Sequence, residues 1–263
     1  MIVFLRSWGA ILLILPAVLL RPALRSRLKV TRHWAHLWRG VFIAASMHLG
    51  FYSMSVMPLA TVTVLFFMAP IIATLLATVF FGERVGLHRS GAILAGFVGA
   101  AVILRPGFAM IEWGLLAALG SAVLFALALS LSGSVTKADG ALSGAVSASL
   151  ITGVLTLPVV IPIWSLPSTG FFWLLMGVIV ATGLLRFFAD LSAYHFAEAG
   201  LLAPISYLRL ILIAVGAYFL FDEIPDAATW TGAALIIGSS LYIARREAIL
   251  NRPKTVSAPE KLP

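Results

Sequence analysis

The chain has 263 residues, 61% of them hydrophobic and 11% charged, with no cysteine and a mean hydropathy of +1.07. A soluble domain carries roughly 25% charged residues, so this composition excludes an ordinary soluble globule, and the missing cysteines exclude disulfides and thiolate metal sites. The net charge of +8 lies in loops between apolar runs, where membrane proteins carry Lys and Arg on the cytoplasmic side, so it points to a bilayer and not to nucleic acid.

Nine apolar segments are read along the chain, at roughly 2–20, 40–57, 60–81, 88–104, 113–134, 144–164, 170–190, 200–221 and 228–244. Hydrocarbon offers no hydrogen-bond partners, so each is predicted to be a helix, and about 20 residues suffice to cross. The first opens with Arg6 and Trp8, which either anchor at the interface or line an outer cavity. It is followed by Arg21, Arg25, Arg27, Lys29 and Arg32, and no Ala-x-Ala ends it. A secretory signal has its basic residues first, so this is read as a retained span. The second segment sets His48 and Tyr52 four apart on one face: a cavity pair, or a histidine bonded to a nearby carbonyl.

The stretch Pro58–Gly107 organises the rest. It reads as a helical hairpin whose knuckle, Gly82–Arg89, holds every charge in its interior, Glu83 among them. Pro70 lies midway along the first arm, where a missing N–H predicts a kink. A similar pattern returns at 199–246: Phe81-Gly82-Glu83 corresponds to Phe221-Asp222-Glu223, and Gly91-Ala92 to Gly232-Ala233. Both acids are read as residues that cap or bridge helix ends. Basic loops after the first segment and after the last place both on one face, cytoplasmic by the positive-inside rule. The two knuckles then fall on opposite faces, the signature of an inverted repeat.

Polar groups within the membrane are costly and face a cavity or a partner. Arg186, Asp190 and Tyr194 lie four apart on one helical face, read as a substrate-contacting face or as an intrahelical pair near a helix end. Ser206, Tyr207 and Arg209 follow Pro204, which either breaks the helix at a site or stands harmlessly in its first turn. Arg6, Arg186 and Arg209 against Asp190 predict a cavity neutral to positive in charge, suited to a zwitterionic or anionic organic metabolite with an apolar or aromatic part.

Taken together, Tyr52 to Ala60, Ala69-Pro70, Phe81-Gly82-Glu83-Arg84, Gly91 and Leu104-Arg105-Pro106-Gly107 resemble the EamA-type domain of the drug/metabolite transporter superfamily. So do Ala193-Tyr194, Ala203 to Leu208, Phe221 to Pro225, Gly232-Ala233 and Leu241 to Glu247 in the second half. The resemblance implies an all-α polytopic protein of two inverted five-helix halves around a substrate cavity. It implies a secondary transporter of small organic metabolites, with the bilayer and a coupling ion (proton or sodium) as partners.

On that pattern 1–107 is a first repeat of four helices, 108–246 a second of five, and 247–263 a disordered cytoplasmic tail. The first half lacks one helix of the pattern, which predicts an upstream start. It also predicts a first helix packed on one side only, beside a lateral opening. The expected location is the cytoplasmic (inner) membrane with the C-terminus inside. No cofactor, metal site or catalytic residue is read. The sequence carries no Walker motif, no His-Glu-x-x-His and no Gly-x-Ser-x-Gly, which weighs against an intramembrane enzyme. A small channel or scaffold is the remaining alternative.

Overall fold

The computed structural model describes residues 1–81, 87–104, 112–165, 168–196 and 199–250. Side chains at 77–81, 87, 89, 186–188, 190–196, 199–208 and 247–250 lie outside that description. The described residues form ten α-helices and one short 3-10 helix, with no strand among them. The helices are α1 Ile2–Leu20, α2 Pro22–Arg25, α3 His33–Val56, α4 Leu59–Phe66 and α5 Met68–Phe81. They continue as α6 Leu87–Leu104, α7 Trp113–Val160, α8 Gly170–Phe196, α9 Ala199–Phe221 and α10 Ala227–Leu250. Large apolar side chains such as Leu12, Leu19, Leu212 and Phe219 are exposed along them. On a polytopic membrane protein these faces meet lipid.

The breaks have local causes. Arg21, ahead of Pro22, is extended at φ −116°, and Met57, ahead of Pro58, at φ −132°, because the proline ring crowds the preceding residue out of the helical region. The run 60–81 is not one rod but two helices that part at Phe67. Pro70 has no N–H for the Phe66 carbonyl and its ring presses on that turn, so the chain tightens there instead. Within α7 two helices, 113–139 and 141–160, abut without a loop at Gly140, whose φ 82° and ψ 161° are not helical. Counting α4 with α5 as one interrupted span, and the two arms of α7 as two, nine spans stand among the described residues. Several helices outrun their apolar segments: α3 starts at His33 rather than near 40, and α10 reaches Leu250. Polar flanks continue a helix once it leaves hydrocarbon.

α4 and the start of α5 form the centre. Residues 60–65 of α4 are all buried, and Val62, Leu65, Met68 and Ile71 are fully enclosed. Around them stand α6, α7, α9 and α10, with Ala118, Ala122 and Ala126 of α7 making a smooth stripe in the same core. α3 lies along α7 at close range: a Cβ on Gly40 would meet Ile151 at 2.7 Å. Small residues at helix crossings permit such approach, and dispersion then holds the helices. α1 buries Val3, Ser7, Ile11 and Val18 on its contacts with α7 and α8, while Leu13, Leu15 and Leu20 stay exposed.

The α6–α10 pair is uneven along its length. Near Gly99 and Gly232 the backbones touch, since a Cβ on Gly232 would lie 2.7 Å from the Gly99 carbonyl oxygen. Toward Gly91 and Gly238 the helices part around a groove of about 550 Å³, and a Cβ on either glycine would meet nothing within 4 Å.

Candidate functional site

A cavity of about 390 Å³ opens between the helices, walled by α1, α3, α4, α5, α7 and α9. Its cations are Arg6 from α1 and Arg209 from α9. Its rings are Phe51, Phe66 and Phe125, with Met47 and Met54 beside them, and its hydroxyls are Ser46, Thr63 and Ser121. Among the described lining residues none is acidic. The cavity is therefore largely apolar and aromatic, with two arginines on its wall.

Two of the hydroxyls are engaged in the wall. Ser46 Oγ donates to the Ser121 carbonyl at 2.9 Å, and Ser121 Oγ donates to the Ser46 carbonyl at 2.8 Å. That reciprocal pair clasps α3 to α7 where the cavity begins. Gly50 sits next to it: an added Cβ would come within 3.1 Å of both the Phe66 ring and Ser121 Oγ. Arg209 rests over the Phe67 ring, its guanidinium carbon 5.1 Å from the centroid.

Of the residues singled out in the sequence, the structure brings Arg6 and Arg209 to this one cavity. Trp8 packs instead on α7, its indole against Gly153, with Nε1 buried and lacking a hydrogen-bond partner among the described residues. His48 donates from Nδ1 to the Ala44 carbonyl at 2.8 Å, and Tyr52 is exposed; neither is part of the wall. Pro70 stands at the helix interruption described above. Glu223 accepts the Leu59 N–H at 2.8 Å, setting a carboxylate at the N-terminus of α4 where the helix dipole and the first-turn N–H groups favour it. Its neighbours shape the same turn. Asp222 takes φ 55° and closes α9, and Asp226 accepts the Thr229 N–H at 2.8 Å as the N-cap of α10. The side chains of Arg186, Asp190, Tyr194, Pro204, Ser206 and Tyr207, and the whole of Glu83, lie outside the described residues, as does the tail beyond Leu250.

A second polar cluster has no counterpart in the sequence reading. Asp139, the last residue before the Gly140 bend, accepts the Thr31 hydroxyl at 2.6 Å, the Thr31 N–H at 3.0 Å and the Arg32 N–H at 3.3 Å. Its Oδ2 also lies 2.9 Å from His36 Nε2, and His36 Nδ1 is 2.6 Å from Ser147 Oγ. Close by, Ser143 Oγ accepts the Lys29 N–H at 2.9 Å, and Arg39 donates to the Gly144 carbonyl at 2.8 Å and to Ser132 Oγ at 2.7 Å. The loop after α2, the first turns of α3 and the bend of α7 are thus tied into one block. Among the described residues no group of His, Asp and Glu could hold a metal ion.

Residues 1–105 match the EamA-like transporter family. An S-adenosylmethionine uptake transporter of Rickettsia felis is 30% identical over 246 residues, covering 94% of this chain and 83% of that protein. A riboflavin transporter of Rhizobium johnstonii is 31% identical over 235 residues, covering 81% of this chain and 71% of its own. A solved crystal structure superposes with a TM-score of 0.59 at 21% identity, over 93% of this chain and 88% of that one. That last likeness concerns the fold.

Proposed function

Because the chain belongs to the EamA-like transporter family, we propose that the cavity walled by Arg6 and Arg209 is where its substrate binds. The protein is an integral membrane protein and transports a small metabolite. The substrate class we read from the wall is an organic metabolite, zwitterionic or anionic, with a carboxylate for the guanidiniums and a flat or apolar part for Phe51, Phe66 and Phe125. S-Adenosylmethionine and riboflavin, named for the two relatives, each pair a flat ring system with polar groups, and the first carries a carboxylate. The single observation behind this reading is that two arginines from opposite ends of the sequence share one aromatic cavity.

In the same reading the protein works as a secondary carrier by alternating access between two inverted halves, 1–107 and 108–246, in the inner membrane with its C-terminus in the cytoplasm. A proton or sodium ion is the coupling ion. Purified protein in proteoliposomes tests the mechanism with labelled S-adenosylmethionine and labelled riboflavin. Uptake that saturates, and that speeds up when vesicles are preloaded with unlabelled solute, is expected of a carrier. Flux that rises linearly with concentration would make the protein a channel.

A further inference from the structure

We infer that the block joining α2, the first turns of α3 and the bend of α7 is a docking surface for the headgroups of anionic phospholipids. Arg21, Arg25, Arg27, Lys29, Arg32 and Lys137 all stand exposed on it. No acid precedes Glu83 in the chain, and Asp139 is the only one in α7. Asp139 is 4% exposed, and its oxygens are taken up inside the block by Thr31, Arg32 and His36. Among the described residues no carboxylate pairs with any of these cations; the ion pair of the block, His36 with Asp139, is internal. The acid that holds the block together therefore leaves its outward charge uncancelled.

The backbone beneath the cations is fixed in advance. α2 is a single turn in which the Arg25 N–H reaches the Arg21 carbonyl at 3.1 Å. Ser143 Oγ donates to the Arg27 carbonyl at 3.1 Å and accepts the Lys29 N–H at 2.9 Å, while Asp139 holds the Thr31 and Arg32 N–H groups. A surface already held in one shape gives up less freedom when it binds. Two tryptophans mark its depth. Trp34 and Trp38 lie four apart on α3, 73% and 50% exposed, and the Trp38 ring is 5.8 Å from that of Phe42. They stand on the turns ahead of the apolar segment, and indoles gather at headgroup level. The cations just before them in the chain are thus at the height of lipid phosphates. Lys and Arg clustered beside a span attract anionic lipid, each adding about fivefold in affinity. Phosphatidylcholine has the same phosphate but a balancing choline, so net charge is what such a surface reads.

The test compares wild type with Arg25→Gln plus Arg27→Gln, and with Arg245→Gln plus Arg246→Gln, a basic pair that stands beside Glu247. Each protein is extracted from vesicles of equal phosphatidylglycerol and phosphatidylcholine, and the lipid that stays bound is measured by mass spectrometry. Wild type is expected to retain phosphatidylglycerol in preference, less so in high salt. Loss of Arg25 and Arg27 should cut that preference at least about fivefold, and loss of Arg245 and Arg246 far less. Lys29→Gln plus Lys137→Gln should act as the first pair does, and stands in for it if that pair fails to insert. None of these residues lines the cavity, so the readout is independent of the solute carried. Wild type that retains both lipids equally overturns the inference. So does a preference unchanged by the substitutions in the block, or one lost as fully with Arg245 and Arg246, which would make it a matter of total charge.

Discussion

Arg209 carries the heaviest expectation at the scale of single residues. Replacing it with Gln removes the charge while keeping some hydrogen bonding, and uptake of a carboxylate-bearing solute should fall at least about tenfold, the worth of one charge-assisted bidentate contact. Arg209→Lys keeps the charge but loses the fork and should fall in between. Surface yield and uptake kinetics of the two variants check this; equal loss of yield and of uptake would mean that Arg209 serves folding. Arg6 and Arg209 stood out in the sequence because a charge inside an apolar run is costly and invites explanation. Ser46, Thr63, Ser121 and Phe66 did not. Hydroxyls and phenylalanines are ordinary in membrane helices, and only the α3–α7 crossing and the break at Phe67 give these four a shared cavity. Asp139 and His36 escaped for another reason. They fall in polar flanks where charges are unremarkable, and nothing local says that positions 103 apart will meet.

Among the elements, the bend of α7 is the most exposed to a single substitution. Gly140 holds a left-handed φ of 82°, which a Cβ would strain by about 1–3 kcal/mol. Gly140→Ala is therefore expected to lower the thermal unfolding midpoint, though no neighbour lies within 4 Å of the added atom. Asp139→Ala should cost more. It strips the acceptor from two backbone N–H groups, the Thr31 hydroxyl and the His36 ring together, and each buried donor left unmatched costs about 1–3 kcal/mol. Differential scanning fluorimetry in detergent ranks the two; an Asp139→Ala midpoint at or above that of Gly140→Ala would show that water replaces the carboxylate there. The helices themselves were legible from runs of apolar residues, and the proline-driven stops at Arg21 and Met57 were readable too. That the two helices of α7 abut at Gly140 with no loop between them was not, since composition there resembles a loop. The helical starts ahead of the apolar stretches share that cause: apolar content marks where lipid is, not where a helix ends.

For the molecule as a whole, orientation is the first expectation to check. Reporters fused at Arg27 and Arg252 should read as cytoplasmic and one at Asp226 as external, because Lys and Arg flank the first two positions and not the third. An external reading at Arg27 would reverse the assignment of faces and weaken the two-repeat description with it. Matching knuckles at Glu83 and Glu223 suggest two repeats in the sequence, but nothing local there foretells the bridge from Glu223 to Leu59, which needs the folded chain. The uneven α6–α10 seam carries this further. In the proposed two-repeat reading the offset of 141 residues relates Gly91 to Gly232 and Gly99 to Ser240, so the two ends of the seam would be counterparts of one another, yet one end is shut and the other open. In the carrier cycle proposed above, the seam would act as a seesaw resting on one side, with the glycine contact bearing the load and the groove giving clearance for its stroke. Closing one end should lift the other. The chain has no cysteine of its own, so Ala92→Cys with Ser239→Cys can wedge that clearance without interference. Bridging the pair with a short bifunctional reagent is expected to arrest exchange across the vesicle wall, and reduction of a cleavable bridge should set the beam swinging again.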